Sequence, residues 1–188
     1  MNKLGKVFIA LFITTSFASC TSDDNPVNDT LGTIAGNWNI TSLDYQGETL
    51  TEFSDETISR SFHGIGQNFN ASIVFTENPN EYIDNGSYEI VETVNETGIG
   101  ETTALITRDF QFEGAWNRNQ NTISFDGEPS FINPAVPVSV LEVIMNDANI
   151  VELTETTLRL RQDISQIISQ NQTTINFTLS SEVVLTRQ

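Results

Sequence analysis

The chain has 188 residues, 25 acidic against eight basic, for a formal net charge of −17. That balance argues against nucleic acid, because phosphate binding needs lysine and arginine to displace counterions. One cysteine and one histidine exclude an intramolecular disulfide framework and any multi-histidine or paired-cysteine metal site. The length suits one domain with a short tail and leaves enough chain for a sizeable core.

In chain order, the first feature is an address. Both lysines, Lys3 and Lys6, precede the apolar run Val7–Ile13 and a small-residue stretch ending at Cys20. A basic start, a short apolar segment and small residues at the cut define a secretory signal over residues 1–19. The run is well short of the roughly 20 residues that span a bilayer. Phe17-Ala18-Ser19-Cys20 resembles a bacterial lipobox, with Phe17 where leucine is usual. The resemblance implies that Cys20 is acylated and becomes the mature N-terminus. Thr21-Ser22-Asp23-Asp24 resembles the Ser/Asp-rich export signal of Bacteroidetes lipoproteins, carried here by Ser22, Asp23 and Asp24. It implies an outer-membrane, lipid-anchored location, often at the cell surface. Residues 20–30 read as a flexible acidic tether. Within it, Asp29-Thr30-Leu31 resembles an O-glycosylation motif of the same bacterial group. Cleavage before Cys20 removes both lysines from the eight basic residues. Six arginines remain against 25 acids, a charge of −19. Attachment is then expected to rest on acyl chains and not on attraction to anionic lipid.

Residues 31–188 carry short segments of two-residue period, the mark of half-buried strands. Phe69, Ala71, Ile73 and Phe75 alternate with mostly polar neighbours, and Ile175, Phe177, Leu179, Val183 and Leu185 form a longer stripe broken at Ser181. Ala104, Ile106, Phe110 and Phe112 are interrupted by Arg108, and Leu158, Leu160 and Ile164 share their face with Gln162. One apolar and one polar face suit an antiparallel sheet. Turns are expected at Asn85-Gly86, Asp126-Gly127, 118–121, 146–149 and 154–157, since such residues accept tight-turn dihedrals. Short connections force an up-and-down meander of eight to ten strands, which closes into a barrel or splits into a sandwich. Leu50, Phe53, Ile58 and Phe62 lie at near-helical spacing, so one short helix is expected after the first strand. Pro129–Pro137 reads as a long loop, and Val138–Met145 as a strand covered on both faces.

Gly36-Asn37-Trp38 opens the first strand, which is expected to run to about Tyr45. Gly-x-Trp at this place resembles the lipocalin signature. The stretches 31–43 and 150–160 are similar to openings and late strand pairs of lipocalin-like Bacteroidetes lipoproteins. The resemblance implies an all-β, antiparallel, lipocalin-like barrel over residues 31–188, with Gly36 and Trp38 plugging one end. A late arginine stacking on the Trp would be Arg187 or Arg161. The Thr-Asp-Tyr motif that lipocalins place between two middle strands has no good counterpart.

Catalytic chemistry is sparse. His63 is the only imidazole and is expected at a loop or cap, and no nucleophile elbow, P-loop or dinucleotide fingerprint occurs. Asp84-Asn85-Gly86 and Asp126-Gly127-Glu128 offer oxygen ligands for calcium, but read more simply as turns. No catalytic residue, metal or cofactor is expected. Twelve Phe, three Tyr and two Trp can fill a core or line an apolar pocket. The expected function is a non-enzymatic, lipid-anchored protein that holds a small apolar ligand. The alternative is an envelope protein–protein interaction module without a cavity.

Overall fold

A computed structural model describes residues 32–53, 56–126, 147–170 and 173–188. Residues 1–31, with Cys20, Ser22, Asp23, Asp24 and Thr30, lie outside the described residues, as do Gly127 and the stretches Pro129–Pro137 and Val138–Met145. Eight strands run in chain order: β1 (Gly36–Phe53), β2 (Glu56–Thr76), β3 (Glu81–Glu96), β4 (Gly100–Asn119), β5 (Thr122–Asp126), β6 (Asp147–Leu153), β7 (Thr157–Gln170) and β8 (Thr173–Arg187). Each is antiparallel to the next, and β8 returns to pair along β1, so the sheet closes on itself as a barrel. Closure leaves no edge where β1 and β8 meet, which is how an up-and-down sheet removes its most exposed backbone groups.

The alternating stripes become the inner wall. On β8, Phe177, Leu179, Ser181, Val183 and Leu185 are all buried, while Thr178 and Thr186 face out. On β2, Ala71, Ile73 and Phe75 are buried with Phe69 half-buried beside them. The ring has two unlike ends. β5 pairs with β4 only over 115–119, and β6 pairs with β7 only over 158–161. That end is the base. β4 and β7 run on past their short neighbours to the opposite end, the rim.

The stripes do not keep one parity along a strand. Register slips occur between Asn39 and Asp44 in β1–β2, Ile40 and Ser42 in β1–β8, and Gln67 and Asn70 in β2–β3. The β1–β8 and β2–β3 slips each insert one residue and exchange the faces of β1 and β2, whereas the β1–β2 slip sets five residues against seven and keeps the two strands in phase. The inner positions of β1 therefore pass from Trp38 and Ile40 to Leu43 and Tyr45, and those of β2 from Gly64 and Gly66 to Phe69 and Ala71. Asn68 supplies the left-handed residue of the β2 bulge, with φ of 52°, a conformation asparagine tolerates better than most.

Several expectations need correction. No helix follows the first strand among the described residues. Leu50 and Phe53 close β1, Ile58 and Phe62 open β2, and the two strands pair directly, Leu50 with Ser59 and Phe53 with Glu56. β1 thus extends to Phe53 and not to Tyr45. Spacings of three and four residues fit a helical face, but a tight hairpin with threonine-rich flanks presents the same spacing. Asn85-Gly86 is no turn. β3 runs straight through it, and Gly86 (φ 134°) packs on the Asn70 backbone at the β2 bulge. Asp147–Asn149 likewise belongs to β6. Of the turn expected at 118–121, Gln120 and Asn121 form the turn while Arg118 and Asn119 belong to β4, and the bend at 154–157 is held by the Thr154 hydroxyl accepting from the Thr157 N–H at 2.9 Å.

Candidate functional site

The base is built around Trp38. Its indole is fully buried, and Nε1 donates to the Ile34 carbonyl at 2.8 Å. Arg187 lies with its guanidinium carbon 4.1 Å from the ring centroid. Its Nη1 donates to the Ala35 carbonyl at 2.8 Å, its Nε to the Glu155 carbonyl at 2.7 Å, and its Nη2 to the Thr33 carbonyl. Five donors in a planar fork allow one side chain to stack and to gather three backbone oxygens at once. Gly36 makes room for it. Its φ is 140°, and a Cβ there would run into the Arg187 guanidinium. Of the two arginines left open by sequence, Arg187 takes this place; Arg161 instead pairs on the outside with Asp163 at 3.1 Å. Around Trp38, Phe75 meets Trp116 edge-on at 5.9 Å and Tyr82 meets Phe125 at 5.2 Å, sealing the base with rings.

Above these rings the inner wall changes character. Phe62, Phe69, Ile106, Phe110, Phe112 and Ile164 point inward yet are only partly buried. Rings continue along the wall, from Phe69 to Tyr88 at 5.9 Å, Tyr88 to Phe110 at 5.6 Å and Phe62 to Phe177 at 6.2 Å. These partly buried apolar and aromatic side chains share the inner wall with Asp84, Glu92 and Arg108. A row of polar side chains crosses this wall, with Phe62 and Ile164 on its rim side and Phe69, Ile106, Phe110 and Phe112 on its base side. Gln162 of β7 pairs with Ser181 of β8, Ser181 with Tyr45 of β1, Tyr45 with Gly64 of β2, and Gly64 with Glu92 of β3. The Tyr45 hydroxyl donates to Glu92 Oε1 at 2.6 Å, reaching across Gly64. Burial and that bond push the Tyr45 hydroxyl well above the usual phenol range.

Glycine makes the span feasible. A Cβ at Gly64 would run into the Tyr45 ring, and one at Gly47 would meet Phe62 Cζ at 2.5 Å. The pairs Tyr45–Gly64 and Gly47–Phe62 are directly opposed in the β1–β2 ladder, so each ring lies across the other strand's glycine. Such pairs let a strand bend where no side chain crowds its concave face. In the same region, Gln46, Glu48, His63 and Ser180 together with Phe62 and Ile164 line a groove of about 690 Å³.

The remaining candidates are local. His63 sits in β2 and not in a loop, with a half-exposed ring 3.1 Å from Asp44 Oδ1 across the ladder. Asp84 is buried in β3, and loss of hydration raises its carboxyl to about 7. It lies on the wall and offers no calcium loop with Asn85 and Gly86. No cluster of three metal-ligating side chains forms among the described residues. Tyr45 and Glu92 are the site residues that sequence reading passed over. The interruptions of the apolar stripes at Arg108, Gln162 and Ser181 were the available signal, since all three lie on inward faces.

The fold is an all-β, closed up-and-down barrel whose base is filled by Trp38 and Arg187. No family model, curated protein or solved structure matches the chain.

Proposed function

We propose that this is a lipid-anchored outer-membrane or cell-surface lipoprotein whose lipocalin-like barrel holds a small apolar ligand without catalysis. The observation that carries the reading is the inward wall of Phe62, Ile106, Phe110, Phe112 and Ile164, apolar and yet only partly buried. A side chain placed solely to fill a core would be fully enclosed, as Leu158 and Leu185 are at the base. Apolar lining with few polar groups is the usual chemistry of a pocket for such ligands. Arg187 over Trp38 supports the lipocalin-like assignment, because it matches the stacking that the Gly36-Asn37-Trp38 resemblance implies. The test is binding of a neutral fluorophore such as phenylnaphthylamine, with native mass spectrometry of the purified protein. We expect saturable fluorescence enhancement and a retained molecule that organic solvent extracts. A protein that carries no extractable molecule and gives no saturable enhancement refutes the reading.

One observation favours the interaction module instead. Ile65, Val91 and Leu105 pair side by side on the outer face of β2, β3 and β4, and are 50%, 37% and 60% exposed. An apolar strip on an otherwise polar wall is a plausible contact surface. Under that reading, an envelope protein co-purifies with the wild type and is lost on Leu105→Glu.

A further inference from the structure

We propose that the row Gln162, Ser181, Tyr45 and Glu92 is a head-group site, and that it selects a neutral, hydroxyl-bearing amphiphile. The inference rests on the reading that the bore takes an apolar ligand, and it names the polar end of that ligand.

The row is a polar belt between two apolar ones. One position toward the base, Leu160, Val183 and Leu43 pair across β7, β8 and β1; one position toward the rim, Ile164, Leu179, Gly47 and Phe62 pair across β7, β8, β1 and β2. Its two halves differ. Tyr45 and Glu92 satisfy each other. Gln162 and Ser181 are 5% and 2% exposed, and neither Gln162 Oε1 nor Ser181 Oγ has a hydrogen-bond partner. Buried polar atoms in that state weaken a fold, whereas leucine and alanine would line the same wall without that penalty. The pair therefore has a chemical use.

The atoms themselves state which group fits. Gln162 Oε1 only accepts, and a serine hydroxyl both donates and accepts. An alcohol can donate to Gln162 and accept from Ser181 in the same pose. An ether or ketone leaves Gln162 unmet. A carboxylate also leaves it unmet. An ammonium satisfies Gln162 but has no acceptor for the Ser181 hydroxyl. The ligand's apolar chain then follows Ile164, Leu179, Phe62 and Phe177 toward the rim.

The test displaces bound phenylnaphthylamine from the intact protein with dodecanol, dodecyl methyl ether and dodecanoate, which share one chain and differ in head group. We expect dodecanol to compete at about tenfold lower concentration than either of the others, the weight of one well-made hydrogen bond. In Gln162→Leu and in Ser181→Ala the preference of alcohol over ether should fall to about unity, with circular dichroism confirming the fold. Equal competition by alcohol and ether in the wild type, a preference for dodecanoate, or an alcohol preference that survives both substitutions overturns the proposal while the apolar bore stands. Failure of the fluorophore to bind removes both.

Discussion

Asp84 shows how a single side chain can set the pH response of the barrel. It is 2% exposed on the inner wall, its Oδ1 has no partner, and burial outweighs two backbone hydrogen bonds to raise its carboxyl from 3.8 to about 7. Its charge also helps to push the neighbouring Tyr82 hydroxyl up to about 12, behind burial as the larger cause. The folded state holds this proton more tightly than the unfolded chain does, so stability falls as pH rises. Below about 4 both states are protonated and nothing is lost. Between about 4 and 7 the unfolded chain alone ionises, and stability drops by about 1.4 kcal/mol per pH unit. Above 7 both ionise and the loss, up to about 4 kcal/mol, is complete. Asp84→Asn removes the titration with little change of shape. Urea denaturation should find the variant matching the wild type near pH 4 and exceeding it by about 2–4 kcal/mol near pH 8. A wild type and variant that differ equally at both pH values would rule this account out.

Among the strands, the β1–β2 ladder shows the closest fit between sequence and shape. Tyr45 lies across Gly64 and bonds Glu92 beyond it, so the glycine is the space through which β1 reaches β3. Strand propensity alone would favour alanine over glycine there by about 0.5–1 kcal/mol. Packing reverses the sign. Gly64→Ala is expected to cost about 1–3 kcal/mol by driving the ring off Glu92, and to cost nothing in a Tyr45→Ala background. A double-mutant cycle by thermal or chemical denaturation measures the difference, and additive effects would show that the ring and the glycine do not interact. The stripes on β2, β4, β7 and β8 were legible in the sequence because apolar side chains on a half-buried strand must alternate. The hairpin at Leu50–Phe62 was not, because a turn between two strands can copy helical spacing. Nor could periodicity reveal the row from Gln162 to Glu92. Its alignment depends on the slips near Thr41 and Asn68, and a slip of one residue exchanges the faces of everything beyond it. Arg108, Gln162 and Ser181 stood out only as blemishes in apolar stripes, although they mark where the wall turns polar.

For the molecule as a whole, the six arginines are distributed by task. Arg159 bridges Glu152 and Glu182 on the outside at 3.6 Å each, Arg161 pairs with Asp163, and Arg187 ties residues 33–35 and 155 to the end of β8. None forms a basic patch that would hold an acidic protein on an anionic bilayer. On the proposed lipoprotein reading, membrane attachment falls to Cys20. Expressed with its leader, the wild type should incorporate labelled palmitate and fractionate with the outer membrane, and Cys20→Ala should do neither. Membrane retention of the unlabelled variant would defeat the assignment.

Both ends of the described chain meet at the base. β1 begins there, β8 finishes there, and the Gln188 N–H donates to the Asn37 carbonyl at 3.0 Å. The eleven residues 21–31 that separate Cys20 from this point can extend by at most about 40 Å. On the proposed lipoprotein reading, the barrel is moored by its base, and the rim lies at the far pole from the mooring. On that reading a guest reaches the rim from the aqueous side: one already dispersed, or handed over by another carrier, meets no membrane, whereas one still embedded in the supporting leaflet must first leave it.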